Sequence, residues 1–292
     1  MMKKRILLLA LQLLLVMLAT MPAGLTSTSS YYLDASRLEV QVSPATDTAS
    51  GAVKVSSNSN RPVHLKVIPK LWHLNAQGVM VYDEPPKTGY NLLDNIGINP
   101  EEFDLLPGKS RLVRFIIKVP HEINTLESAF QLYFQPVNLL EVEPQKTAAG
   151  VNHMLDVVPV FTTTVYVYKG NPVPAPRVEQ FQCGYLPDKN QVSVNLNLNN
   201  TGSKHARLLG NIVLNRKAVS GQTQPLEVLH LQNSTLMVVF PNTLRSVQNN
   251  LDLEKTKKLD PGAYQMELRL VDERNVQPAI QSTCDFTVPA KN

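Results

Sequence analysis

The 292-residue chain is poor in the residues most often used for chemistry or covalent bracing: two cysteines, one tryptophan, 13 glycines and 6% aromatics. Two cysteines cannot build a disulfide-dense scaffold. Neither Cys183 nor Cys284 has a second Cys or a His at ligand spacing, so no metal site is expected. The histidines (His64, His73, His121, His153, His205 and His230) are all too far apart in sequence to form a helical zinc pair. No Gly-x-Ser-x-Gly nucleophile turn occurs. Gly108-Lys109-Ser110 has Phe103 where a phosphate loop needs glycine, which leaves a Pro-Gly turn at Pro107-Gly108. Glu101-Glu102 and Glu141-x-Glu143 read as solvated loop acids rather than a general acid–base pair. Sparse aromatics argue against a carbohydrate-binding module. No catalytic residue and no cofactor is expected.

Charge adds little. Lys3, Lys4 and Arg5 precede an uncharged stretch from Ile6 to Ala19, followed by Pro22, Ala23, Gly24 and a Thr/Ser-rich run. A basic start and an apolar run shorter than the roughly 20 residues of a spanning helix are the marks of a signal peptide. We expect it at residues 1–28, cut between Ala23 and Ser30; an uncleaved anchor is the alternative. Taking those three cations from the formal +4 leaves +1, so the basic pI is largely a leader effect. Lys255, Lys257 and Lys258 are interleaved with Asp252, Glu254 and Asp260, and no nucleic-acid partner is expected. No later segment is apolar enough to span a bilayer as a helix.

Alternation is what the chain has in quantity. Leu38–Val42, Ala52–Val55, Val63–Ile68, Leu112–Val119 and Ala129–Phe134 read as strands, and Val157–Tyr168 as the longest. Lys169–Arg177 carries prolines at 172, 174 and 176, which favour an extended connector over a ladder. Strands resume at Val192–Leu198, Leu208–Leu214, Leu236–Phe240, Tyr264–Val271 and Thr283–Val288. Many short strands separated by turn residues at intervals of about 8–12 predict sandwiches. Leu259-Asp-Pro-Gly-Ala-Tyr264 places a tyrosine after a turn at the head of a strand, as at an immunoglobulin-like corner. Trp72 is expected to pack between sheets. The fold class is thus all-β: two immunoglobulin-like β-sandwich domains, 31–170 and 176–290, joined by a Pro-rich linker and preceded by a signal peptide. An exported chain meets an oxidising compartment, so Cys183 and Cys284 are expected to be bridged, closing a loop of roughly 100 residues. Asn199-Asn-Thr201 and Asn233-Ser-Thr235 fit a glycosylation pattern that matters only in a eukaryotic secretory route.

Leu33-Asp-Ala-Ser-Arg37, the strand ending at Trp72, Leu105–Arg114, Glu127–Phe134 and the strand ending Val165-Tyr-Val-Tyr-Lys169 together resemble the periplasmic chaperones of the chaperone–usher pilus pathway, over roughly residues 31–175. The resemblance implies a periplasmic protein that caps pilin or fimbrial subunits by lending them a β-strand, with an outer-membrane usher as a further partner. It implies a subunit-binding set of Arg37, Met154, Val158, Val160 and Thr162, on the strand face that also carries Asp156. The family's carboxylate-holding Arg and Lys are matched at Arg37 only: Thr163, Thr164 and Val165 stand where the Lys is expected, and the next Lys is Lys169. The expectation is that the stretch from about Met154 to Tyr168 can pair with a foreign chain as well as with its own sheet. The alternative function is a secreted structural or adhesive protein whose sandwiches are a scaffold.

Overall fold

A computed structural model describes residues 31–82, 91–137, 146–147, 150–151, 159–230, 237–253, 258–274 and 279–290. Among them there is no α-helix, and these described residues form twenty strands. The first twelve are β1 (Tyr31–Leu33), β2 (Arg37–Gln41), β3 (Thr48–Ser57), β4 (Val63–Leu74), β5 (Met80–Tyr82), β6 (Ile96–Asn99), β7 (Glu102–Leu105), β8 (Ser110–Lys118), β9 (Leu126–Pro136), the two-residue β10 (Lys146–Thr147) and β11 (Gly150–Val151), and β12 (Phe161–Lys169). One sheet runs β1-β3-β8-β6; the facing sheet runs β2-β12-β9-β4-β5, with β7 also on β4. Strict alternation makes this sandwich. In β8, Val113, Phe115 and Ile117 point inward, while Leu112, Arg114, Ile116 and Lys118 point outward. The inward residues meet Phe130, Leu132, Phe134, Val165 and Val167 in one core. Gly51 makes room for it: a Cβ there would lie 2.4 Å from the Phe115 ring.

The remaining strands are β13 (Pro176–Leu186), β14 (Gln191–Asn200), β15 (Ala206–Lys217), β16 (Thr223–His230), β17 (Met237–Val239), β18 (Leu244–Asp252), β19 (Gly262–Asp272) and β20 (Ile280–Val288). They form sheets β13-β14-β18 and β16-β15-β19-β20, with β17 on β15. Their core is separate from the first and is centred on Val194, Leu196, Leu208, Leu214, Met266 and Leu268. The expected corner is present, with the Tyr264 hydroxyl donating to the Asp260 carbonyl at 2.8 Å. The disulfide is present too. Cys183 lies on β13 and Cys284 on β20, so the bridge joins edge strands of opposite sheets and closes one side of the sandwich.

Two expectations need correction. The longest described strands are β4 and β15, at 12 residues each, whereas β12 has nine and begins only at Phe161. The reason is visible in the register. Continuing the β12–β9 pairing beyond Phe161↔Phe134 would set Pro159 against Pro136, where neither residue can donate, and the ladder ends there. Trp72 is buried, but not between the sheets of one sandwich. It lies on the outer face of the six-stranded sheet, under the second sandwich, with Ala129, Tyr166, Tyr168 and Phe240.

Candidate functional site: an open strand edge beside the elbow

β12 is flanked on one side by β9, antiparallel from Phe161 to Lys169, and on the other by β2, parallel from Thr164 to Tyr168. Both edges of Thr164–Tyr168 are therefore occupied. This corrects the expectation that the whole stretch can receive a foreign chain. Upstream the situation changes because the flanking chain changes sheet. β1 belongs to the other sheet, where it pairs with β3, and the crossing happens at Asp34–Ser36. The crossing is fixed by local bonds: Asp34 N–H donates to the Lys54 carbonyl, the Asp34 carboxylate accepts from Lys54 N–H, and the Thr163 hydroxyl donates to the Ala35 carbonyl at 2.6 Å. The last backbone–backbone bond from this segment to β12 is Thr164 N–H to the Ser36 carbonyl, at 2.9 Å. Main-chain groups alternate between edges along a strand. Those of Val160 and Thr162 therefore face the same side as Thr164, where no described strand pairs with them. On the opposite side, Tyr31 closes the end of the ladder: its hydroxyl donates to the Phe134 carbonyl and accepts from Phe161 N–H.

The side chains sort by the same alternation. Phe161, Thr163, Val165 and Val167 face the core; Val160, Thr162, Thr164, Tyr166 and Tyr168 face outward. Val160 is 46% exposed. Thr162 lies opposite Tyr133, and Thr164 lies between Arg37 and Gln131, whose amide donates to its hydroxyl. The structure thus brings Arg37, Val160 and Thr162 to one face and one edge. Met154 and Val158, with Asp156, lie outside the described residues. So do the expected leader, His153, Glu141, Glu143, Asn233-Ser-Thr235, Lys255 and Lys257.

Arg37 is not an unoccupied cation. It donates to Glu273 at 3.2 Å and approaches Glu39 at 4.0 Å. Glu273 also accepts from Arg207, and these two arginines, Arg207 first, hold its carboxyl below the usual carboxylate range. Arg274 extends the network to Asp272 and Glu39. Lys169 cannot stand in for the missing lysine. Its ammonium is buried, 2.8 Å from Asp47, and donates to the Pro120 and His121 carbonyls. That partnership holds the Asp47 carboxyl below its ordinary value, with His121 assisting.

Sequence reading missed how the second sandwich seats on this sheet. Glu127, on β9, takes both the backbone N–H and Nδ1 of His205. The His205 ring stacks on Tyr166 at 4.2 Å, and Lys204 lies over the Tyr168 ring at 3.8 Å. Burial pushes the Tyr166 hydroxyl up to about 12. On the other flank the turn after β4 reaches β18: Ser246 N–H donates to the Ala76 carbonyl at 2.6 Å, and the Arg245 guanidinium covers Gly78, where a Cβ would stand 1.9 Å from it. Gly78 also has φ of 74°, so the position excludes a side chain on two grounds. The only advance signal was a lone Gly after Trp72.

The chain is similar in shape to solved fimbrial chaperones. No protein-family model matches it and no curated protein matches it in sequence. The Class 5 fimbriae chaperone CfaA aligns at 12% identity over 89% of this chain and 99% of its own, with a TM-score of 0.48. The CsuC–CsuE chaperone–tip adhesion subunit pre-assembly complex from archaic Csu pili of Acinetobacter baumannii contains a chain that aligns at 11% identity over 88% of this chain and 98% of its own, with a TM-score of 0.49. The periplasmic chaperone SfaE aligns at 11% over 86% and 98%, with a TM-score of 0.42.

Proposed function

We propose that this protein is a non-enzymatic periplasmic chaperone that receives a pilin or fimbrial subunit at the edge of β12 and completes that subunit's sheet with its own strand. One observation carries the reading: the sheet switch at Asp34–Ser36 leaves the outward main-chain groups of Val160 and Thr162 unpaired by any described strand, directly upstream of a firmly held strand. An edge of this kind supplies main-chain bonds for affinity and alternate side chains for specificity. Left uncovered, the same edge invites non-specific pairing, which a bound client prevents. The reading takes residues 1–28 as a signal peptide, and 31–170 and 176–290 as the two domains. Met154 and Val158 are proposed to extend the outward row of Val160 and Thr162 into the client.

Arg37 favours a modified version of the anchoring that the resemblance implies. Its guanidinium already binds a carboxylate, that of Glu273, so a client carboxylate must displace or share that partner. The second reading, a secreted structural or adhesive protein, rests on the same observation, because Arg37 is then simply a strut between sandwiches.

Co-expression with a subunit encoded by a neighbouring gene, followed by purification of the periplasmic fraction, separates the two. A 1:1 complex is expected with the wild-type protein, and its recovery falls at least about tenfold with Val160→Asp, as a buried unpaired charge at the junction requires. Surface-located protein with no soluble complex would establish the scaffold reading instead.

A further inference from the structure

The open edge of β12 ends at Arg37. From there onward β2 occupies that edge, so a chain laid along Val160 and Thr162 stops against it. At the same point Arg207, on β15 of the second sandwich, reaches across to the first. Arg37 and Arg207 both donate to one atom, Oε2 of Glu273. Two guanidinium groups converging on a carboxylate oxygen make a carboxylate site, and its present occupant belongs to the protein itself.

Asp272 and Glu273 are consecutive but differently held. Asp272 ends β19, its side chain is 1% exposed, and it accepts from the backbone N–H of Arg207 and from Arg274. Glu273 lies just beyond the strand, and its side chain is 34% exposed. Its main chain is tied separately, by Glu273 N–H to the Arg207 carbonyl at 2.7 Å. The Glu273 carboxylate can therefore swing into water without disturbing the β19 ladder. Arg207, with a side chain only 13% exposed, is then left short of a partner, and an uncompensated, poorly hydrated charge draws another carboxylate in.

Charge balance points the same way. Arg37, Arg207 and Arg274 face Glu39, Glu273 and Asp272. Lys204 and Glu127 beside them add one charge of each sign. A further carboxylate would leave an unpaired negative charge unless a resident one gives way, and Glu273 is the resident that holds both Arg37 and Arg207.

We propose that Arg37 and Arg207 form a carboxylate site at the end of the open edge, that Glu273 fills it in the free protein, and that a client's terminal carboxylate takes its place. The inference rests on the strand-edge reading of the function. Arg207 then supplies the second cation that Thr163, Thr164 and Val165 do not. Glu273 is an intramolecular competitor: apparent client affinity falls with the fraction of time it leaves the site free. A chain that brings no carboxylate gains nothing by displacing it, so the exchange also selects the client.

The probe is a fluorescein-labelled alternating peptide, Val-Ser-Val-Thr-Val-Tyr, made once with a free carboxyl terminus and once with a terminal amide. Each is titrated into the full protein and followed by anisotropy. Glu273→Gln keeps an acceptor for the arginines but removes the competing charge. It should bind the acid form about tenfold tighter than wild type does and the amide form equally well. Adding Arg207→Gln should cancel that gain, with thermal unfolding showing that both variants are folded. If Glu273→Gln binds acid and amide forms alike while Val160→Asp still abolishes binding, this inference falls and the edge reading stands. A gain that survives Arg207→Gln also overturns it. Binding of neither form, or binding that Val160→Asp does not weaken, overturns both.

Discussion

Arg37, Lys169 and His64 show how little a residue's type says about its task until its partners are known. Arg37 is more than a third exposed, and exposed ion pairs contribute about 0–1 kcal/mol, so Arg37→Ala should cost less than about 1 kcal/mol in denaturant unfolding. The same substitution should lower recovery of a client complex; unchanged recovery would leave Arg37 as a strut to Glu273 alone. His64 sits between two carboxylates across the β4–β7 pair, Glu102 and Asp104, both at 2.7 Å. Those bonds raise its pKa above 6.5. A raised folded-state value means that the stabilisation is fully present below pH 6.5 and is lost as pH rises through the folded value. The stability gap between wild type and His64→Gln should therefore shrink between pH 6 and pH 9, and a gap that widens would contradict the assignment. The residue list alone could nominate Arg37. It could not show Glu273, 236 positions away, already holding it.

At the scale of elements, β12 is two strands in one. Its downstream half is a central strand; its upstream end is an edge. Proline distinguishes them, because it removes one donor and so costs only where that donor is used. Thr162 N–H faces the open edge, so Thr162→Pro should leave the fold standing and abolish client capture. Thr163 N–H faces β9, and its side chain is fully buried with a bond to Ala35, so Thr163→Pro should destabilise the first sandwich by about 3 kcal/mol or more. Thermal unfolding and complex recovery, measured side by side, give opposite rankings for the two variants if the edge assignment is right. Alternation in Val165-Tyr-Val-Tyr announced the strand. Where pairing begins and ends depends on the Asp34–Ser36 crossing, which period-two patterning cannot reveal.

The whole molecule consists of two cores held by contacts that belong to neither. The Cys183–Cys284 bridge spans 101 residues and lies entirely within the second sandwich. Replacing both cysteines with serine should therefore lower the unfolding free energy of that sandwich by up to about 4.7 kcal/mol, the loop-entropy scale for such a span. The first sandwich, followed by amide exchange on its core strands β8 and β9, should change little. The primary sequence determined the all-β class, the alternating inward rows, the Tyr264 corner and the pairing of the only two cysteines, because each follows from local periodicity, turn chemistry or simple count. Tertiary structure alone decided which half of β12 is covered, that Trp72 leaves its own sandwich to pack under the other, and that Glu127–His205 and Gly78–Arg245 join the halves. Those outcomes depend on contacts between residues some 80 to 170 positions apart, and no short-range pattern encodes a partner at that separation.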